Sequence, residues 1–226
     1  MDFCGRDWPG RKVVILNGDI GELDTKRRST QLISLNKADV MRYTIDSLSP
    51  LLDGADKAVF VRGTMAHTGG GGWLEEALAQ DFDNAVRHSK DTASWYHFQG
   101  AIDGVKFDAA HHASMGRLPW TEKNAANRIA ELATRYYNIE LQQPAPDVVL
   151  RSHNHRYADS GENYDTWAVC LPCWQLKTEF IYRIGGEYGL PNIGGVAIVI
   201  ENGIIVRKEK VVYKIGKGKR IWALKI

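Results

Sequence analysis

Six side chains of types that hold or activate a divalent cation follow apolar runs in this sequence: Asp19, His67, His111, His112, His153 and His155. The last pair is the most suggestive. His153 and His155 flank one residue, just past the run Asp147-Val148-Val149-Leu150-Arg151-Ser152. Alternate positions of an extended segment share a face, so both imidazoles are expected to point at one spot. That spot lies at the carboxyl end of a strand, where open α/β sheets place their ligands. Alone, a His-x-His pair is more often a polar loop. Here Asp19, His67, His111 and His112 also follow apolar runs, and the expectation is that the set converges on metal. An aspartate with several imidazoles suits zinc, manganese or iron. Magnesium and calcium prefer oxygen-only ligation and fit poorly. Two such ions roughly 3.5–4 Å apart can share a carboxylate and clamp both oxygens of a phosphoryl displacement.

The elements that must position these groups are readable from periodicity. Lys12 to Leu16 is an apolar strand ending in Asn17-Gly18-Asp19. Asn36 caps a helix with the stripe Met41, Ile45, Leu48 and Leu52, stopped at Asp53-Gly54. Ala58 to Val61 is a second buried strand, leading into Arg62-Gly63-Thr64-Met65-Ala66-His67. Gly69 to Gly72 follow; without a Walker lysine they read as a lead into a helix near Trp73. The strand–helix–strand order implies right-handed crossovers and a largely parallel sheet. Ser94 to Ile102 and Val105 to Ala110 flank Asp103-Gly104, a hairpin signal whose second arm delivers His111 and His112. Thr121 opens a helix with Ala125, Ile129, Leu132, Ala133 and Tyr136 on one face, and the strand before His153 follows. Trp167 to Leu171 and Gly194 to Ile200 read as antiparallel strands, and Asn202-Gly203 turns the chain into Ile204 to Tyr213.

Composition narrows the class. The 226 residues, 44% hydrophobic with seven Trp and nine Tyr, can bury one substantial core, and a single domain over 1–226 is expected. The net charge of +2 gives no electrostatic case for a dedicated nucleic-acid or membrane-surface binder. The basic run Lys214, Lys217, Lys219 and Arg220 reads as a solvated tail. Three cysteines with no framework spacing, and no signal pattern, favour a reducing, cytoplasmic location. Cys170 and Cys173 are expected to be structural, and His88 and His97 to be surface or hairpin residues.

In order and strand context, Gly18-Asp19, Gly63-Thr64-x-x-His67, His111 and Ser152-His153-Asn154-His155 resemble four of the five motifs of the calcineurin-like metallophosphoesterases. The resemblance spans about residues 12–160, and the remainder is similar to versions carried by phages and mobile elements. It implies an α/β fold, the family's four-layer α/β/β/α sandwich with mixed sheets. It also implies manganese, iron or zinc, one or two ions per chain in a dinuclear site. Asp19 would bridge the ions, His111 and His153 would ligate one, and His155 the other. His67 would act near the leaving-group oxygen as proton donor or charge stabiliser.

Departures accompany the matches. Thr64 stands where the family has an asparagine ligand, and a hydroxyl is a poorer ligand than an amide carbonyl. Either water replaces it or His67 moves into the coordination sphere. His112, adjacent to His111 in an extended arm, is expected to face away, into the core or behind the site. The family's Asp-x-His motif has no counterpart. Asp2-Phe3-Cys4 carries a cysteine in the histidine's place, and the residues before Asp19 are too few for a strand–helix crossover. The expectation is a domain truncated at its N-terminus, without its first strand and part of its first helix, holding one ion firmly and a second weakly.

The function implied is hydrolysis of a phosphomonoester or phosphodiester by metal-activated hydroxide. The partners expected are that phosphate ester, a nucleotide or nucleic acid among the candidates, and no membrane. Arg62, Arg151 and Arg156 flank the site as candidate phosphate grips, with ordinary surface charge as the plainer reading. The alternative is a non-catalytic relative binding a partner or nucleic acid through the same site. Mononuclear hydrolysis of another ester is permitted by the ligand set but disfavoured by motif order.

Overall fold

The structure is a computed structural model that describes residues 8, 10–23, 32–113, 121, 124–178 and 190–213. The basic run from Lys214 onward lies outside the described residues. Two parallel strands open the fold, β1 (Val13–Asn17) and β2 (Lys57–Val61), with Val13 opposite Lys57 and Asn17 opposite Val61. Between them runs α1 (Lys37–Leu52), whose first turn is closed by the Asn36 side chain accepting from the Ala38 N–H at 3.0 Å. The expected stripe faces inward: Val40 and Leu52 are buried, and Met41, Ile45 and Leu48 pack beside them. After β2 come a single turn, α2 (Met65–Thr68), and then α3 (Trp73–Asp81). Phe60, Leu74 and Leu78 lose all solvent contact between β2 and these helices. Burying each such side chain stabilises the fold by about 1.5–3 kcal/mol.

A five-stranded mixed sheet follows in the order β3-β4-β5-β7-β6. Its strands are β3 (His97–Ile102), β4 (Val105–Ala110), β5 (Val148–Arg151), β6 (Ala158–Asp159) and β7 (Trp167–Cys170). The Asp103-Gly104 turn joins β3 to β4 as an antiparallel hairpin, as expected. β5 lies parallel to β4 and is covered by α4 (Asn124–Arg135), which runs on into a π turn, Tyr136–Glu140. One expectation fails here. Trp167 to Cys170 is parallel to β5, and its antiparallel partner is the two-residue β6, which no sequence pattern announced. All four residues of β7 are buried, Trp167 and Val169 against one face and Ala168 against α4. That is the covering expected of a parallel strand.

Two-sided burial also explains the layers. The chain before β3 hydrogen-bonds along β2, Trp95 N–H to Phe60 O at 2.8 Å and Arg62 N–H to Trp95 O at 2.7 Å, so the two sheets run together. Helices α1, α3 and α4 cover one side of the strands. The antiparallel hairpin β8 (Ile193–Glu201) and β9 (Ile204–Tyr213) packs on the other. Val196, Ile198, Ile200 and Ile205 meet Val59, Val61, Phe107, Leu150 and Val169 there in a sheet-on-sheet core. The class is therefore the expected α/β with mixed sheets, helix, strand and strand layers all being formed by described residues. Cys170 is buried in this packing, its thiol pushed up to about 11 by burial, in keeping with a structural part.

Candidate metal centre

β1, β2, β4 and β5 end on the same side of the sheets, and the loops leaving them carry the polar groups. Asn17, the last residue of β1, is nearly buried and stitches three of these ends together. Its side chain donates to Ala110 O at 3.1 Å and to Ser152 Oγ at 2.8 Å, while its own carbonyl accepts from His111 Nδ1 at 2.7 Å. A carbonyl only accepts, so the His111 Nδ1 carries hydrogen and Nε2 turns toward the site. There Nε2 lies 2.9 Å from Asp19 Oδ2. The Asp19 carboxylate also accepts from Thr64, the backbone N–H at 2.5 Å and the hydroxyl at 3.1 Å.

His153 completes the group. Its Nδ1 is 3.3 Å from His111 Nε2, 3.2 Å from Thr64 Oγ1 and 4.0 Å from Asp19 Oδ2. His112 joins them: its ring sits 4.8 Å from that of His153 and 5.0 Å from that of His111. One ligating nitrogen from each of His111, His112 and His153 falls within 4.8 Å of the others.

Two glycines make this convergence possible. A Cβ on Gly18 would stand 2.4 Å from His111 Nδ1, and one on Gly63 would stand 2.2 Å from both Asp19 N and Asp19 Oδ1. Both distances are far inside van der Waals contact, so the loops approach this closely only with glycine. Three site residues also have left-handed backbone: Asp19 (φ 53), His153 (φ 73) and His155 (φ 57). The segment after β5 is thus turned rather than extended, and alternation of faces does not bring its two histidines together. Asn154 Nδ2 instead donates to Ala113 O at 2.8 Å, tying this turn to the one holding His111 and His112.

The electrostatics follow from crowding. Burial alone would raise the Asp19 carboxyl, but the hydrogen bond and charge of His111 hold it below the ordinary carboxylate range. His111 is raised in return: burial opposes its charge, and Asp19 outweighs burial. His153 falls to about 4 through burial and the charges of His111 and His112. Glu75 is fully buried behind the site, accepting from the Asp19 N–H at 3.1 Å, and burial pushes its carboxyl upward.

The expected site residues have separate fates. Asp19, Thr64, His153 and His111 form a ring in which each lies within hydrogen-bonding reach of the next. His112, expected to face away, lies in the cluster because β4 ends at Ala110 and strand alternation stops there. His155 is near enough for its charge to disfavour a proton on His153. His67 Nδ1 pairs with Glu22 on the loop after β1. Arg62 bonds Ser94 Oγ at 2.8 Å and Glu76 Oε2 at 3.1 Å, and its guanidinium lies 4.2 Å from the Tyr96 ring centroid. Arg151 is 2.7 Å from Asp108 Oδ1, and Arg156 is half-buried on the loop before β6. Sequence reasoning missed Asn17, Glu75 and Asp108, polar residues whose signal was only their place inside apolar strands or helices.

The donor set fits a divalent ion of intermediate softness. Two imidazole nitrogens facing each other at 3.3 Å, with a carboxylate beside them, offer lone pairs that one cation can share. His111, fixed through Nδ1, has the carbonyl-backed arrangement common to metal-bound histidine.

Fold and site together define a mixed α/β protein with a histidine-rich candidate metal centre at its strand ends. No family's sequence model matches this chain, and no curated protein matches it. Among solved structures it is similar to a single-mutant Vps29 from Entamoeba histolytica, at 13% identity and a TM-score of 0.43, covering 91% of this chain and 84% of that one. It is also similar to a Thermotoga maritima protein solved by NMR in solution, at 12% identity and a TM-score of 0.41, covering 90% and 100%. Vacuolar Protein Sorting 29 from Cryptosporidium parvum is similar at 11% identity and a TM-score of 0.35, covering 91% and 99%. Likeness at this level carries neither an activity nor a partner to this chain.

Proposed function

We propose that this chain is a metal-dependent phosphoesterase acting on a phosphomonoester or phosphodiester. The observation that carries the reading is the meeting of His111, His112 and His153 beside Asp19 and Thr64, from loops far apart in sequence. His111 Nε2, His153 Nδ1, His112 and the Asp19 carboxylate would hold manganese, iron or zinc. A bound divalent ion supplies Lewis acidity toward phosphoryl oxygen and lowers the pKa of water. The chain's own groups do the rest. Asn17 orients His111, the Thr64 N–H fixes the Asp19 carboxylate, and Glu22 holds His67 by Nδ1 so that its ring can serve as proton donor. His155, whose charge is felt at His153, would serve a second ion.

A second reading is favoured by the arginines. Arg62 and Arg151 are both taken up by internal carboxylates, Glu76 and Asp108. In that reading the chain is a non-catalytic relative that binds a partner or nucleic acid at this site. Hydrolysis of bis-p-nitrophenyl phosphate and p-nitrophenyl phosphate with added manganese separates the two. The enzyme reading expects manganese-dependent turnover that Asp19→Ala and His153→Ala abolish. Absence of turnover by a manganese-loaded chain, or turnover that both variants keep at the wild-type level, overturns it.

A further inference from the structure

A second feature adjoins the histidine cluster. Between α4 and the ends of β3 to β5 lies a cavity of about 340 Å³, and His112 forms part of its wall. That volume is within the range of small-molecule sites, about 300–1,000 Å³, and exceeds the about 150 Å³ that receives a benzene ring. The wall supplied by α4 and its continuation is apolar and aromatic: Ile129, Leu132, Tyr136 and Tyr137. Leu132 and Tyr136 are 55% and 46% exposed, so the described residues leave this apolar wall open to a ligand.

The helix departs from α-geometry where it meets the cavity. The Leu141 N–H bonds Tyr136 O at 3.0 Å, closing a π turn, a distortion frequent at functional sites. Tyr137 on this turn reaches across the cavity floor, its hydroxyl donating to Asp108 Oδ2 at 2.9 Å. Asp108 in turn is matched by His97 Nε2 at 2.8 Å and Arg151 Nη1 at 2.7 Å. Among the described lining residues the one carboxylate is therefore paired internally with Arg151 and His97, and the exposed Arg128 adds positive charge at the rim. Such a lining accepts a flat ring on its apolar wall and does not repel an attached anion.

We propose that this cavity receives the aromatic group of a phosphate ester whose phosphate lies at the histidine cluster, the ring being a nucleobase or a simple aryl group. The inference rests on the phosphoesterase reading, since His112 is the residue shared by cluster and cavity. It assigns Tyr136 and Leu132 to substrate selection and leaves the phosphate to the metal centre.

Non-hydrolysable probes test it without turnover. Calorimetric titration of the manganese-loaded chain with phenylphosphonate and methylphosphonate should show the phenyl compound binding about fivefold or more tightly, the size of one ring–ring contact. Tyr136→Ala should erase that difference and leave methylphosphonate binding unchanged, which also certifies the variant's fold. Should Tyr136→Ala lose both probes, Leu132→Ala on the same wall is put to the same comparison. Equal affinity for the two compounds, or a difference that survives the substitution, overturns the cavity's role and leaves the metal centre standing. Failure of both compounds to bind the loaded wild type overturns this inference together with the phosphoesterase reading. Phosphonate analogues of a ribose phosphate and of a nucleoside monophosphate distinguish the ring's source: a matching gain from the added base assigns a nucleobase, and its absence assigns an aryl group.

Discussion

Asp108 is a carboxylate kept ionised where almost no water reaches it, its side chain being 4% exposed. Burial alone would raise its pKa. The hydrogen bond from His97 and the charge of Arg151 outweigh burial and hold the group well below its ordinary 3.8. A folded value below the unfolded one stabilises the native state above that ordinary value, and the stabilisation fades as pH falls below it. Urea midpoints compared at about pH 6 and about pH 3 should therefore drop more for the wild type than for Asp108→Asn. At the higher pH the variant should already be weaker by about 3–5 kcal/mol, the effect of leaving Arg151 without its buried partner. A midpoint insensitive to both changes refutes this account. The positions of Asp19, His111 and His153 just past apolar strands were legible in sequence, because apolar runs with polar ends leave a clear pattern. His112 was not, since it sits beyond the last residue of β4 and follows the turn rather than the pleat.

Elements bring these residues together through backbone closeness as much as through side chains. Gly63 shows the margin: its missing Cβ is where the Asp19 amide and carboxylate lie. Gly63→Ala should push the loop after β2 away from the loop after β1. It should reduce manganese uptake roughly tenfold or more while near-ultraviolet circular dichroism keeps its native form. Undiminished uptake refutes the close-approach argument. Strands with hairpin turns at Asp103-Gly104 and Asn202-Gly203 were readable because turn chemistry is local. The parallel seating of β7 was not, because a strand buried on both faces has no alternation and its partners are set by tertiary packing. The π turn after Arg135 likewise leaves no mark in helical periodicity.

On the scale of the whole molecule, the site joins loops from β1, β2, β4 and β5, so whatever binds there holds several strands at once. No helix among the described residues is long and apolar enough to cross a membrane. Metal at a hundredfold excess over its dissociation constant should stabilise the fold by about 2.7 kcal/mol, and chelation with EDTA should remove the gain. His112→Ala should lower the gain measured at fixed manganese, by weakening affinity roughly tenfold or more. A melting temperature indifferent to manganese, zinc and EDTA alike refutes the metal centre. The backbone of His153, at φ 73, carries one further implication. Left-handed geometry disfavours any residue with a Cβ by about 1–2 kcal/mol, so an imidazole here is retained against conformational preference. His153→Gly should melt later than His153→Ala while both lose the donor nitrogen. The loop would then be a place where durability and chemistry pull in opposite directions, and where drift toward an inert descendant would begin with a gain in robustness.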